Sequence, residues 1–175
     1  KLEFEGMIAN IGLRMDYVQG QKWYAFNDYD ASLGIGNAGM IDTLQTITPD
    51  GVLRLSPRLG VSFPITEISK FYFNYGHFYR LPSPDDLYYI RIYPESQQVT
   101  SLANPDKALP KTVAYELGYE QSLFDQFLIK IAGFYRDVTD QPLSVRYTNR
   151  DASVNYSLSQ ANRYSDVRGV ELTFR

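Results

Sequence analysis

Apolar residues occupy every second position in six stretches of this sequence, and this alternation limits the fold more than any other feature. The stretches cover residues 7–17, 55–65, 70–80, 113–121, 127–136 and 169–175. Successive side chains of a β-strand point to opposite faces, so each stretch predicts a strand with one apolar and one mostly polar face. None of them keeps a helical period. The sequence therefore predicts an all-β chain of about six strands.

The connections between these stretches alternate between short and long. Residues 64–69 and 122–126 give tight turns, whereas residues 18–54, 81–112 and 137–166 are long gaps. A compact soluble domain rarely holds three structureless loops longer than about 15 residues. Tight turns at one end and long loops at the other are typical of bacterial outer-membrane barrels. The pattern favours an antiparallel up-and-down transmembrane β-barrel segment.

The two tight turns also predict the register. Centring the first turn near Glu67 pairs Phe63 with Phe71, and centring the second near Asp125 pairs Glu120 with Lys130. In this register almost every charge within the strands falls on one face. A Lys or Arg at the lipid midplane costs about 2–4 kcal/mol, so the charged face is predicted to line the lumen. The charges predicted to face the lumen are Arg58, Lys70, Glu116, Glu120, Lys130 and Arg136. The predicted aromatic girdles are Phe63 and Phe127 at one membrane interface and Tyr17, Tyr79 and Tyr135 at the other.

Composition removes most catalytic and metal chemistry. The chain has no Cys and a single His, His77, so thiol nucleophiles, disulfides and Cys-based zinc sites are excluded. A formal net charge of -3 argues against non-specific nucleic-acid binding. The chain is predicted not to be an enzyme, with no catalytic residue, no cofactor and no metal ion, and His77 is assigned to an interfacial girdle.

Two further patterns have weak functional readings. Residues 34–39 match G-x-G-x-x-G, but no buried strand precedes them and no acid follows about 20 positions later, so an extracellular loop is favoured over a dinucleotide site. The loop acids fit no standard calcium loop and are interpreted as solvated charge. These acids are Asp28, Asp30, Asp42, Asp85, Asp86 and Glu95.

Aromatic side chains in the long loops are the candidate ligand-binding residues. Aromatic faces held at the mouth of a barrel can stack on sugars or on the flat groups of a siderophore. The alternative is that the loops pack on themselves. The candidates are Trp23, Tyr24, Tyr29, Tyr88, Tyr89 and Tyr93, with Phe26 beside them in the sequence.

Five stretches, in order along the chain, resemble the barrel strands of TonB-dependent outer-membrane receptors. The resemblance is to the type that carries an N-terminal carboxypeptidase-regulatory-like domain. Lys107–Pro110 departs from the family's Leu-Lys-Pro-Glu order, which affects only that loop edge. The stretches are IANIGLRMDYV (8–18), the hairpin of residues 55–89, NPDKALPKTVAYELGYEQ (104–121), IKIAGFYRDVTD (129–140) and YSDVRGVELTF (164–174).

The resemblance implies a 22-stranded barrel in the bacterial outer membrane with a plug domain inside it. Such receptors import a bulky nutrient (a siderophore, cobalamin or a glycan) with energy delivered through TonB. The implied partners are outer-membrane lipid, the plug domain, the remaining barrel strands, the TonB complex and the ligand. Residues 1–175 are expected to be one part of the barrel domain, beginning and ending within the wall, with the plug and the TonB box absent from this chain.

Two other fold and function classes compete with this reading. A soluble β-sandwich that binds carbohydrate would use the same loop aromatics. A small outer-membrane adhesin or enzyme barrel would need at least eight strands in a closed set. The decisive observation is whether the apolar rows face outward or pack on a second layer of the same molecule.

Overall fold

The computed structural model of the chain describes residues 2–4, 6–25, 45–95, 99–148, 150 and 155–175. Strands dominate these residues, and one short helix interrupts them. The elements are β1 (Leu2–Phe4), β2 (Met7–Val18), β3 (Trp23–Ala25), β4 (Gln45–Ile47), β5 (Val52–Thr66), β6 (Ser69–Tyr79), α1 (Pro84–Tyr88), β7 (Ile90–Ile92), β8 (Val99–Leu102), β9 (Lys111–Leu123), β10 (Phe127–Thr148) and β11 (Asn155–Phe174).

Nine strands form one curled sheet in the order β1-β2-β5-β6-β9-β10-β11-β8-β7. The long strands pair antiparallel with their neighbours, and β8 runs parallel to β11. Strands β3 and β4 pair separately as a two-stranded sheet. The six predicted strands are confirmed as β2, β5, β6, β9, β10 and β11, and together they form a segment of an up-and-down barrel wall.

The predicted register is confirmed in both hairpins. Phe63 pairs with Phe71 across the first turn, and Glu120 pairs with Lys130 across the second. The second turn places Phe124 and Asp125 at positive φ, 54° and 56°, and so reverses the chain within three residues. A tight turn leaves no freedom for the strands to slip, which explains why the sequence pattern was sufficient here.

The predicted loop over residues 137–166 is wrong along most of its length. Strand β10 continues to Thr148 and β11 begins at Asn155, so this pair extends beyond the rest of the sheet. The pairing shifts register between Val138 and Leu143, and Asp140 takes a φ of 56°. A β-bulge of this kind moves the following side chains to the opposite face, which breaks the alternation that the sequence pattern depends on.

One face of the sheet is apolar and exposed. Ile11, Leu117 and Leu172 keep 70%, 59% and 70% of their surface accessible, with no second layer over them among the described residues. Buried side chains instead cluster at the long-loop end, where Val99 and Leu102 contact Tyr156 and Leu158. Among the described residues the apolar rows therefore do not pack on a second sheet, as they would in a β-sandwich. No helix among the described residues is long and apolar enough to cross a membrane.

Aromatic rings lie at both edges of the apolar face. Near the tight turns, Phe127 stacks on Phe174 with ring centroids 5.4 Å apart. Toward the long loops, the Tyr115 ring lies 5.1 Å from Tyr75 and 6.3 Å from Tyr135. Two aromatic rows bordering an apolar band are the arrangement that membrane barrels place at the two interfaces.

Candidate functional site

The polar face of the sheet, called the lumenal face below, holds a charged network near the tight turns. Lys70 Nζ lies 2.8 Å from Glu120 Oε2, and Lys130 Nζ lies 3.8 Å from Glu116 Oε1. The Tyr72 hydroxyl donates to Glu116 at 2.9 Å, and the Lys130 ammonium lies 4.9 Å from the centre of the Tyr72 ring. Although Glu120 and Lys130 are register partners, each forms its ion pair with another residue.

Above this network the lumenal face opens into a groove of about 720 Å³. Its floor follows one row of the sheet, in which Arg58 pairs with Gly76, Gly76 with Ala114, and Ala114 with Arg136. The two small residues leave space between the two arginines. We call this feature the arginine groove.

Each arginine of the groove lies over an aromatic ring. The Arg58 guanidinium is 4.9 Å from the centre of the Phe78 ring, and the Arg136 guanidinium is 5.3 Å from that of Phe134. No ion pair joins either arginine to a carboxylate among the described residues. Cation–π contacts position a guanidinium while leaving its N–H donors available. The groove therefore presents two oriented cations to whatever fills the lumen.

Three of the predicted loop aromatics meet at the long-loop end. The Trp23 ring centre lies 5.4 Å from those of both Tyr24 and Tyr88, in edge-to-face geometry. The backbone N–H of Gln21 donates to the Tyr88 hydroxyl at 2.7 Å, which ties the segment before β3 to α1. The Trp23 indole nitrogen is buried and has no acceptor among the described residues. These three rings pack on one another, which is the arrangement expected if the loops pack on themselves rather than bind a ligand.

Two other candidates present open surfaces. Tyr89 is 42% exposed at the end of α1, and Tyr93 is 61% exposed after β7. Tyr29 and Phe26 lie outside the described residues, as do the glycine motif at 34–39 and the acids Asp28, Asp30 and Asp42. Ligand binding by the loop aromatics stays a prediction.

A half-buried lysine joins the elements at the mouth. Lys107 Nζ donates to the backbone carbonyl of Asp86 at 2.8 Å and to the Ser159 hydroxyl at 3.0 Å. It thereby links α1 to the extended part of β11, and burial lowers the pKa of the Lys107 ammonium. The sequence identified this stretch only as a departure from a family motif. The contact of Lys107 with Ser159 joins positions 52 residues apart, so no local sequence pattern could predict it.

His77 lies on the apolar face beside the upper aromatic row, as its girdle assignment requires. The Tyr75 hydroxyl and His77 Nε2 are 2.6 Å apart, within hydrogen-bond distance, and the two rings meet edge to face. Within the described ranges, no three His, Asp or Glu side chains gather closely enough to hold a metal ion.

The groove residues that the sequence reasoning missed are Phe78 and Phe134. Their positions follow from the confirmed register, because Phe78 comes one pair above Gly76, and Phe134 one pair below Arg136, on the lumenal face. The sequence analysis gave no role to the aromatic residues on the polar face. Their contacts with the guanidinium groups depend on side-chain conformation, which alternation does not encode.

The sequence model of the family described as TonB dependent receptor-like, beta-barrel matches residues 2–175. No curated protein matches the chain. Among solved structures, the hemophore receptor HasR of Serratia marcescens, in complex with its hemophore HasA and heme, is similar with a TM-score of 0.68 at 19% identity. That match covers 98% of this chain and 30% of HasR.

Two further solved structures share the architecture. The FrpB iron transporter of Neisseria meningitidis has a TM-score of 0.59 at 17% identity and covers 98% of this chain and 21% of that one. A mutant of the ferric enterobactin receptor PfeA of Pseudomonas aeruginosa, in complex with enterobactin, has a TM-score of 0.55 at 20% identity. That match covers 69% of this chain and 19% of PfeA. At these identities the likeness shows the fold, and this chain spans less than a third of each receptor's length.

Proposed function

The chain belongs to the family of TonB-dependent receptor-like β-barrels of the bacterial outer membrane, and from this premise we propose that it is part of the wall of a receptor that imports a bulky nutrient with energy delivered through TonB. The nutrient class is a siderophore, cobalamin or a glycan. The neighbouring structures are a hemophore receptor, an iron transporter and a ferric enterobactin receptor. The family consists of receptors and transporters rather than enzymes.

The sorting of side chains between the two faces of the sheet carries this proposal. The apolar rows are exposed without a second layer among the described residues, while the lumenal face holds the ion pairs and the arginine groove. A soluble protein would lose stability by exposing such rows to water, whereas lipid tails favour them. The soluble β-sandwich alternative is wrong, because the long strands form a single sheet.

The proposed partners follow from membership of the family. Residues 1–175 form one part of a barrel domain, and a plug domain and the other barrel strands belong to the same receptor. An N-terminal carboxypeptidase-regulatory-like domain and contact with the TonB complex are proposed for the other parts of that receptor. The lumenal face, where Arg58 and Arg136 form no ion pair with a described carboxylate, is proposed as the surface that the plug and the passing nutrient meet.

Ligand capture is proposed for the mouth. Tyr89 and Tyr93 offer exposed aromatic surfaces, and Tyr89 directly follows Tyr88, whose ring packs on Trp23. Contacts between an aromatic ring and a flat group contribute about 0.5–1.5 kcal/mol beyond area burial. Removal of both exposed rings should therefore weaken nutrient binding about tenfold.

The test uses bacterial cells that produce the complete receptor and measures nutrient uptake with and without TonB. Uptake should require TonB, and Tyr89→Ala with Tyr93→Ala should raise the half-saturating concentration about tenfold. Tyr17→Ala is the matched control, since Tyr17 is 64% exposed but lies on the lipid-facing side. Uptake that persists without TonB would overturn the proposed function. Equal effects of the loop and control variants would overturn the ligand surface alone.

A further inference from the structure

The helix α1 has no cation of its own near its C-terminal end. Its first turn holds Asp85 and Asp86, and its last turn holds no basic residue. The final carbonyl groups of a helix have no N–H partner within the helix, so another group has to bond them. Lys107 supplies such a group from 21 residues away, because its Nζ donates to the Asp86 carbonyl at 2.8 Å.

A short turn fixes the backbone from which the Lys107 side chain extends. The Asp106 N–H donates to Asn104 Oδ1 at 3.0 Å, and the Lys107 N–H donates to the Asn104 carbonyl at 3.4 Å. Just before this turn, the Ala103 N–H donates to the carbonyl of Tyr89, the residue that directly follows α1. The helix α1, Tyr89 and the turn therefore form one hydrogen-bonded unit.

The same ammonium group also reaches the wall of the mouth. Lys107 Nζ donates to the Ser159 hydroxyl at 3.0 Å. Ser159 pairs with Ser144, in the part of the β10–β11 pair that extends beyond the register shifts after Val138. No described carboxylate forms an ion pair with Lys107, so these two hydrogen bonds hold its ammonium group. Hydrogen bonds from a charged donor are stronger than those between neutral groups.

We propose that Lys107 is a positioning residue for nutrient capture. By tying α1 to the extended β10–β11 pair, its ammonium group holds the exposed ring of Tyr89 in a fixed place against the mouth wall. A ring that is already held in place loses less conformational freedom when it binds a flat group, so the tie strengthens capture. The inference rests on the ligand surface proposed above, but the tie itself exists without a nutrient.

The first test measures this tie in the complete receptor without a nutrient. Spin labels at Asp85→Cys on α1 and Thr148→Cys at the end of β10, both exposed positions, report the distance between the two elements by pulsed electron paramagnetic resonance. The distance distribution should be narrow with Lys107, broad in Lys107→Met, and narrow again in Lys107→Arg, which retains N–H donors. An equally narrow distribution in Lys107→Met would overturn the proposal.

The second test measures capture by cells that produce the complete receptor. Heme, ferric enterobactin and cyanocobalamin are offered separately, and the probe that is taken up with TonB is measured again in each variant. Lys107→Met should raise the half-saturating concentration about fivefold, which corresponds to about 1 kcal/mol, at an unchanged maximal rate. Lys107→Arg should restore most of the affinity. Adding Ser159→Ala to Lys107→Met should change nothing further, because the bond that it removes is already lost.

Lys22→Met is the matched control, since Lys22 is an exposed lysine that lies just before β3 at the same mouth. It should leave the distance distribution and the half-saturating concentration unchanged. Equal effects of Lys22→Met and Lys107→Met, or a fall in the maximal rate alone, would overturn the proposal. If uptake does not require TonB, the proposed function fails, while the distance measurement still decides the role of Lys107. Heat-modifiable migration of each variant in SDS verifies its folding.

Discussion

Two glycines in the β9–β10 hairpin occupy opposite faces and predict opposite effects of added bulk. A β-carbon at Gly118 would collide with the Tyr72 ring, which is 9% exposed and bonded to Glu116. Overpacking of this kind costs typically about 1–3 kcal/mol. Gly118→Ala should therefore lower the free energy of unfolding of the complete receptor, measured by urea titration in lipid vesicles.

Gly133→Ala is the matched control in the same hairpin. Its β-carbon meets open space, and the backbone φ of Gly133 lies outside the left-handed region. Replacing glycine by alanine at such a position is neutral or stabilises by about 0.4–1 kcal/mol, through the unfolded chain. Equal losses for the two substitutions would show that Tyr72 yields freely and that the lumenal network does not hold it.

The same arginine should have different effects on the two faces of one strand pair. Leu117 is 59% exposed on the apolar face, and Asn74, exposed on the lumenal face, pairs with the neighbouring Glu116. Leu117→Arg should destabilise the folded receptor by about 2–4 kcal/mol, because its charge enters the hydrocarbon region. Asn74→Arg should leave stability nearly unchanged. The fraction that inserts into vesicles in heat-modifiable form measures both, and similar yields would contradict the assigned orientation.

Within the six predicted stretches the face of each residue was predictable from the sequence, but the partner of each charge was not. Alternation and two tight turns placed Glu120 opposite Lys130, and the structure confirms that register. The ion pair of Glu120 is nevertheless with Lys70, while Lys130 reaches diagonally to Glu116. Long side chains select among several neighbours on one face, and that selection depends on packing around Tyr72 rather than on sequence spacing.

The helix α1 at the mouth depends on one reciprocal cap, which gives a pH prediction for this element. The Ser83 hydroxyl accepts from the Asp86 backbone N–H at 3.2 Å, and the Asp86 carboxylate accepts from the Ser83 N–H at 3.1 Å. That second bond lowers the pKa of Asp86 below its ordinary value of 3.8. A carboxylate with a lowered pKa stabilises the fold above the unfolded pKa and loses that contribution as pH falls through the folded value.

Amide hydrogen exchange of α1 should therefore accelerate below about pH 4 relative to the neighbouring strands, after correction for intrinsic rates. Ser83→Ala should weaken protection of α1 at neutral pH, since loss of such a cap costs about 1 kcal/mol. Asp85→Asn changes a first-turn acid outside the cap and serves as the control. Protection of α1 that is identical in the Ser83 and Asp85 variants would contradict the role of the cap.

Long strands were predictable as elements, whereas the short and irregular ones were not. The elements β7, β8 and α1 have three, four and five residues, too few for a period to emerge. The extension of β10 was hidden by the register shifts after Val138. The contact of Trp23 with Tyr88 joins positions 65 apart through folding of the mouth. The sequence therefore predicted which aromatic residues belong to the candidate site, but not how their side chains are arranged.

At the scale of the whole molecule, the sheet ends in unpaired backbone. Along most of β11 the backbone pairs with β10 on one side, and among the described residues only Ser157 and Leu158 have a partner on the other side. In a membrane each unsatisfied backbone group costs several kcal/mol, so spanning sheets close into barrels. We therefore expect further strands of the receptor to pair beyond this edge, and the same reasoning applies to β1 at the opposite edge.

The isolated 175-residue polypeptide should consequently fail to fold as a monomer in buffer. Open strand edges and exposed apolar rows both favour association, so light scattering should show aggregates, and no cooperative thermal transition should appear. Co-refolding in detergent with the rest of the receptor, supplied as separate polypeptides, should restore a heat-modifiable barrel, because both edges then find partners. A monomer in detergent-free buffer that melts cooperatively would contradict this account, since its apolar rows would then have to be covered from within the chain.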